Sequence, residues 1–196
     1  MSAFFFYIHK NSPLDQETLN VLARKINLFP LAHVSMYSED NLQLVSTVHK
    51  SDCLRIFKEP TRNLIFFLQG NIFESIKGIK KIDESSEEYA LENQLVKLYL
   101  EKGLSACVGL NGIYNLIVWN HKLHSLEIVG DRQGIFQVFS VSPGNDRFIL
   151  TSDMSTLKLI PGYTPQIDKR GLFDILYMGT AFEGRTVLWG VERLLP

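Results

Sequence analysis

From residue 110 to residue 157 three apolar, strand-like runs follow one another with little room for other structure. They read LNGIYNLIVWN, HKLHSLEIVGDRQGIFQVFSV and RFILTSDMSTLKLI. Asn120-His121-Lys122, Asp131-Arg132-Gln133-Gly134 and Pro143-Gly144-Asn145-Asp146 separate them, and clusters of this kind mark chain reversals. The N-terminal half adds a second block. Residues 4–8 are aromatic and β-branched and predict a strand buried on both faces. Residues 34–37 and 42–48 predict a hairpin around Ser38-Glu39-Asp40-Asn41, and residues 63–68 another buried strand ended by Gln69-Gly70-Asn71.

Three helices are expected between and after these strands. Residues 15–26 carry Leu14, Leu19, Leu22 and Ile26 on one face, with Pro13 suited to the first turn. Residues 77–88 are charged and Ser-rich and predict a loop, and Ser85-Ser86-Glu87-Glu88 offers the N-terminus of a helix that runs to about residue 100 and stops at Gly103. Residues 168–179 form the third, with Asp168 as N-cap, and residues 186–196 return to strand. Helices set between blocks of mostly hairpin-connected strands predict an α+β layered domain.

At 196 residues the chain can bury a full core. A 45% hydrophobic and 21% charged composition is that of an ordinary globular protein, and a net charge of -1 gives no electrostatic case for nucleic acid or an anionic membrane. The apolar start is too short for a membrane span and lacks the basic flank of a signal peptide, so a cytoplasmic protein is expected. Cys53 and Cys107 make neither a metal spacing nor a disulfide framework, and Cys107 reads as a buried free thiol. The five histidines show no metal spacing, and no metal site is expected.

Five further pieces stand in a particular order. They are Leu98-Tyr99-Leu100-Glu101-Lys102-Gly103, then Leu110-Asn111-Gly112-Ile113-Tyr114 running to Trp119-Asn120, then Gly130-Asp131-Arg132-Gln133-Gly134, then Thr151-Ser152-Asp153 with Leu157, and last Gly184-Arg185-Thr186 through Gly190 to Leu194-Leu195-Pro196. In this order they resemble the N-terminal class II glutamine amidotransferase domain of the asparagine synthetase family. The resemblance covers nearly the whole chain as one domain, residues 1–196. It implies the four-layer αββα sandwich of N-terminal nucleophile hydrolases. It also implies a C-terminal synthetase domain in cis that would use ATP and Mg, and leaves room for a homodimer. No Ser-Gly-Gly-x-Asp pyrophosphate loop occurs here, so the chain is expected to be the N-terminal part of a longer protein.

The same resemblance allows the chemistry to be checked residue by residue. Glutaminase activity in this family starts from an N-terminal cysteine, whose place falls on Ser2. Once Met1 is removed, the Ser2 hydroxyl could be activated by its own α-amine, although it is a poorer nucleophile than a thiolate. The family's oxyanion-hole Asn-Gly corresponds to Gln69-Gly70, whose amide sits one methylene further out, or else the pair is merely a strand-ending turn. The substrate-gripping arginine falls at Val48, with Lys50 two residues on and unable to reproduce a bidentate grip. The ammonium-binding aspartate falls at Leu91, with Glu92 beside it but turned about 100° around the helix. Asp131-Arg132 reads as a turn ion pair of small energetic worth. Nucleophile, oxyanion hole and both clamps are altered together while the strands remain, which implies a catalytically degenerate scaffold. The alternatives are an active N-terminal-serine amidohydrolase and a stand-alone binding module.

Overall fold

A computed structural model describes residues 3–27, 33–48, 54–73 and 87–195. Contacts along the chain divide it into two compact units, Met1–Ser51 with Gln137–Leu195, and Asp52–Phe136. Each unit holds one antiparallel sheet, so the α+β expectation is met. Ser2, Lys50, Cys53, the stretch 28–32 and the charged stretch 74–86 lie outside the described residues.

The first unit contains β1 (Phe4–His9), α1 (Gln16–Ile26), β2 (His33–Glu39) and β3 (Leu42–Val48). The later chain adds β8 (Phe139–Val141), β9 (Arg147–Thr151), α3 (Lys169–Met178) and β10 (Val191–Arg193). The sheet order is β10-β8-β9-β1-β3-β2, with β1 at the centre between β3 and β9. Phe5 and Tyr7 pair with Val45 and Ile149 across those neighbours and project to one face. There α1 lays down Leu19, Leu22, Ala23 and Ile26, a helical stripe that closes a buried apolar cluster. Leu19, Leu22 and Ile26 each contribute about 1.5–3 kcal/mol on burial. Phe4, Phe6, Leu44 and Leu150 leave the sheet on the other face and are buried as well, as the all-apolar start of β1 requires.

Two details of α1 differ from the sequence reading. Asp15 is the N-cap, its carboxylate accepting from Thr18 N at 2.6 Å, so Pro13 stands before the helix and not in its first turn. The entry loop is held by Gln43 of β3, which accepts from Leu14 N at 2.7 Å and donates to Leu14 O at 3.1 Å. The end of the chain differs more. Only β10 is strand within residues 186–195, because Thr186 bends the segment by donating to Val191 O at 2.9 Å and Gly190 takes φ +71°.

His9 closes β1 at 5% exposure, and neither ring nitrogen has a hydrogen-bond partner among the described residues. Burial therefore holds its pKa below the ordinary value. The unfolded chain takes up a proton at higher pH than the folded one. Stability from neutral His9 is thus fully present above the unfolded-state pKa and is lost as pH falls below it. A urea midpoint that declines from about pH 7 to about pH 5, and declines less in His9→Phe, is the expected result. An identical slope in the two proteins would assign the effect to other groups.

The second unit contains β4 (Leu54–Glu59), β5 (Leu64–Ile72), α2 (Glu87–Lys102), β6 (Gly112–Asn120) and β7 (Ser125–Gly130), with sheet order β4-β5-β6-β7. Leu64, Phe66 and Leu68 of β5 share a face with Tyr114, Leu116 and Val118 of β6, and α2 covers that face through Leu95 and Leu98. Helix α2 ends where Gly103 takes φ +73° and its N–H bonds Tyr99 O at 2.8 Å. Cys107 follows in a short 3-10 turn and is buried, with its thiol pushed up to about 11 by burial. Ile65, Phe67, Ile117 and Trp119 project to the opposite face and are also buried.

The strand-rich stretch after residue 110 does not stay in one sheet. The β6–β7 hairpin belongs to the second unit, and the β8–β9 hairpin to the first. The crossing runs through residues 131–138.

Candidate functional site

Gln69 and Gly70 lie inside β5, not in a turn that ends it. Gln69 pairs with Asn115 and Gly70 with Tyr114, and the strand continues to Ile72. By strand alternation the Gln69 side chain leaves the sheet on the face opposite α2. It is 1% exposed, and its Oε1 accepts from Asn115 Nδ2 at 3.0 Å. The same Asn115 Nδ2 reaches Phe136 O at 3.3 Å. Across the next strand Asn115 pairs with Gly130, where a Cβ would stand 3.1 Å from Asn115 Oδ1. The missing side chain at Gly130 makes room for the amide.

Gly70 has φ +86°, which a glycine adopts without strain. A Cβ there would fall 2.1 Å from Ile113 O and 2.7 Å from Phe136 Cε2. The β5 backbone is therefore pressed against β6 at this point and shielded by the Phe136 ring.

Asp131 completes the group. It is 2% exposed, its N–H bonds Tyr114 O at 2.8 Å, and its Oδ1 accepts from Gln133 N at 2.9 Å. Its Oδ2 has no hydrogen-bond partner among the described residues. Asp131 thus folds back on the following turn and does not form an ion pair with Arg132. The expected ion pair is replaced by an Asx-type turn because the carboxylate is buried, where backbone N–H groups are the nearest donors.

Sequence reasoning missed Asn115. A signal was present, since an Asn amid Ile113, Tyr114, Leu116, Ile117 and Val118 is a polar residue in a buried strand and needs a partner. Glu92 is half-buried on α2, the helix over the Phe66 face, whereas Gln69 projects from the other face. Leu91, at the position where the resemblance expects a carboxylate, packs against the apolar cluster beneath α2. Val48 ends β3 with its backbone paired to His33.

Ala3 and Phe4 are anchored within the first unit. Ala3 N donates to Thr47 Oγ1 at 2.8 Å, and Thr47 N returns to Ala3 O at 2.8 Å. Phe4 N donates to Ser152 Oγ at 2.9 Å, and Thr151 Oγ1 donates to Phe4 O at 3.2 Å. The Thr151-Ser152-Asp153 piece of the sequence pattern therefore holds the first residues of β1 in place.

The profile of the glutamine amidotransferase domain matches residues 58–196, more than half of the chain, and the chain belongs to that family. It is also similar to the glutamine-hydrolyzing asparagine synthetase 3 of Bacillus subtilis (strain 168), 26% identical over 103 residues. That alignment covers 52% of this chain and 17% of the relative. The chain is a class II glutamine amidotransferase domain of the asparagine synthetase family. Among the described residues no helix is long and apolar enough to cross a membrane.

Proposed function

We propose that this chain is a catalytically degenerate glutaminase-like domain of an asparagine synthetase-related protein. It supports structurally an ATP-dependent, amide-forming synthetase domain in cis. The observation that carries this reading is the state of Gln69. An oxyanion hole needs a donor about 2.7–3.1 Å from the position of the developing charge. The Gln69 side chain is instead 1% exposed, its oxygen accepting from Asn115 at 3.0 Å, so its amide is packed into the strand layer and closed off from solvent. Leu91 adds to it, because a partly buried apolar residue packed against the cluster beneath α2 stands at the position that the resemblance assigns to the ammonium-binding carboxylate.

In this reading the fold is the four-layer αββα sandwich of N-terminal nucleophile hydrolases. Burial of both faces of β1 and β5 supports it. ATP and Mg would serve the synthetase domain, with none used by this one, and the protein would work in the cytoplasm. The expected result is that glutamate release from glutamine in the presence of the purified chain stays at the uncatalysed rate, and that Ser2→Ala leaves it there. Turnover that vanishes in Ser2→Ala would overturn the degenerate reading.

One observation favours the second reading, an amidohydrolase that uses Ser2. Ala3 N is held by Thr47 Oγ1 and Phe4 N by Ser152 Oγ, so the backbone that follows Ser2 in sequence is fixed. An intact mass that retains Met1 would remove this alternative, since a blocked terminus has no free amine at Ser2 to act as base.

A further inference from the structure

We propose that the cleft between the two hairpin ends of the second unit's sheet is a binding site for a small phosphomonoester. Arg62 and Lys122 grip its phosphate, and Leu123 meets its organic part.

The sheet order makes this cleft. Strands β4-β5-β6-β7 run antiparallel, so the β4–β5 and β6–β7 turns fall at the same end. Leu64 pairs with Asn120, and His121 N bonds Asn63 O at 3.0 Å, so the two turns are tied to each other. Arg62 and Lys122, far apart in sequence, thereby line one cavity of about 570 Å³ together with Thr61, Asn63, Asn120 and Leu123. Small-molecule sites occupy about 300–1,000 Å³, and inorganic phosphate alone would leave much of this volume empty.

The lining is set before a ligand arrives. Asn63 at φ +54° and His124 at φ +49° each place one left-handed residue in its turn. Asn120 Oδ1 accepts from Leu123 N at 3.0 Å and fixes the second turn. A preformed site avoids the ordering cost of binding.

The charges select the ligand. Among the described residues neither the Arg62 guanidinium nor the Lys122 ammonium takes part in a salt bridge. The carboxylate nearest in sequence, Glu59, is committed to its own turn, accepting from Thr61 N at 3.1 Å and from Arg62 N at 2.7 Å. Its charge offsets part of that of Arg62 and leaves Lys122 uncompensated. With its oxygen engaged, Asn120 keeps the Nδ2 donor, and Asn63 adds a second amide. A phosphate monoester carries close to two charges on three terminal oxygens. A guanidinium fork takes two of those oxygens and an ammonium takes the third as a point charge. A monocarboxylate would leave one cation unmatched. Leu123 is 70% exposed and offers the apolar surface that an organic substituent would cover. By the strand rise Gln69 lies roughly 20 Å further along β5, so binding here is read independently of glutamine hydrolysis.

Titration followed by proton–nitrogen correlation spectra tests this, with phenyl phosphate, inorganic phosphate and succinate as probes at constant ionic strength. Phenyl phosphate should give saturable shifts at the backbone amides of Arg62 and Leu123 and at the side-chain amides of Asn63 and Asn120. Its Kd should be roughly millimolar, because exposed ion pairs are individually weak. Inorganic phosphate should bind several-fold more weakly, and Leu123→Ser should bring the two together. R62E/K122E should raise the Kd of phenyl phosphate about tenfold or more. K169E/R170E makes the same charge change on exposed residues of α3 and should leave that Kd unchanged. Arg62 and Lys122 are exposed, so R62E/K122E should keep the circular dichroism spectrum of the parent. R62Q and K122Q carry the test where charge reversal disturbs the turns, and each should raise the Kd several-fold. Shifts that fail to saturate, or that survive R62E/K122E, would overturn the site. An equal loss in K169E/R170E would reduce binding to general charge attraction and overturn it too. Succinate binding more tightly than phenyl phosphate would overturn the assignment to a phosphate.

Discussion

Gly70→Ala should lower stability by about 2–5 kcal/mol, combining a left-handed backbone penalty with a steric clash in a packed sheet. For a chain of this size that corresponds to a thermal midpoint lower by roughly 5–20 °C. The backbone at residue 70 has φ +86°, a region that costs an L side chain about 1–2 kcal/mol. The added methyl carbon would also lie 2.1 Å from Ile113 O and 2.7 Å from Phe136 Cε2. The Phe136 ring could swing aside, but Ile113 O belongs to β6, and moving it would disturb the pairing from Leu64 to Ile72. Scanning calorimetry of the variant checks this, and a midpoint within a degree or two of the parent would show that the strands separate easily here. The consequence for function is direct. The fold requires glycine at residue 70 whether or not an oxyanion is ever bound, so its presence in a Gln-Gly pair carries no information about catalysis.

Phe66→Ala should cost about 3–5 kcal/mol, at the upper end for a single core truncation. Phe66 is fully buried at the centre of β5. Its ring stacks on Phe57 of β4 at 5.2 Å and meets Tyr99 of α2 edge-on at 5.3 Å. It therefore joins the edge strand, the central strand and the helix that covers them. Aromatic pairs of this kind add about 0.5–1.5 kcal/mol beyond their buried area. Phe66→Leu keeps most of the volume and loses only the ring geometry, so it should be clearly milder. Urea denaturation of the two variants separates the contributions. Equal losses in both would mean that ring geometry, not the cavity, dominates. A loss under about 1 kcal/mol in Phe66→Ala would mean that the core collapses into the gap.

The active-site reading shows where residue order informs and where it misleads. The five ordered pieces pointed to the family, because turns, caps and strand ends leave local signatures. The same order suggested that Gln69-Gly70 could be a turn, since Gln-Gly-Asn after an apolar run looks like a strand end. It is strand interior because Tyr114 and Ile113 of β6 pair across it. No property of residues 69–71 alone records that partner. The β4 strand was not anticipated at all. Its LRIFKE mixes apolar and charged residues without a regular alternation, and only Phe57 beneath α2 and pairing with β5 commit it to the sheet.

Residue order by itself determined the local elements. The stripe Leu19, Leu22, Ala23 and Ile26 makes α1, and Asp168 with Gly179 brackets α3, because helical period and capping act within a few residues. Tertiary structure alone decided which sheet each strand joins, why Gly70 must be glycine, and that Asn115 holds Gln69. These depend on partners 43 to 46 residues away in sequence, such as Ile113 for Gly70 and Asn115 for Gln69. An apolar run carries its own burial in its composition, but not the identity of the strand beside it.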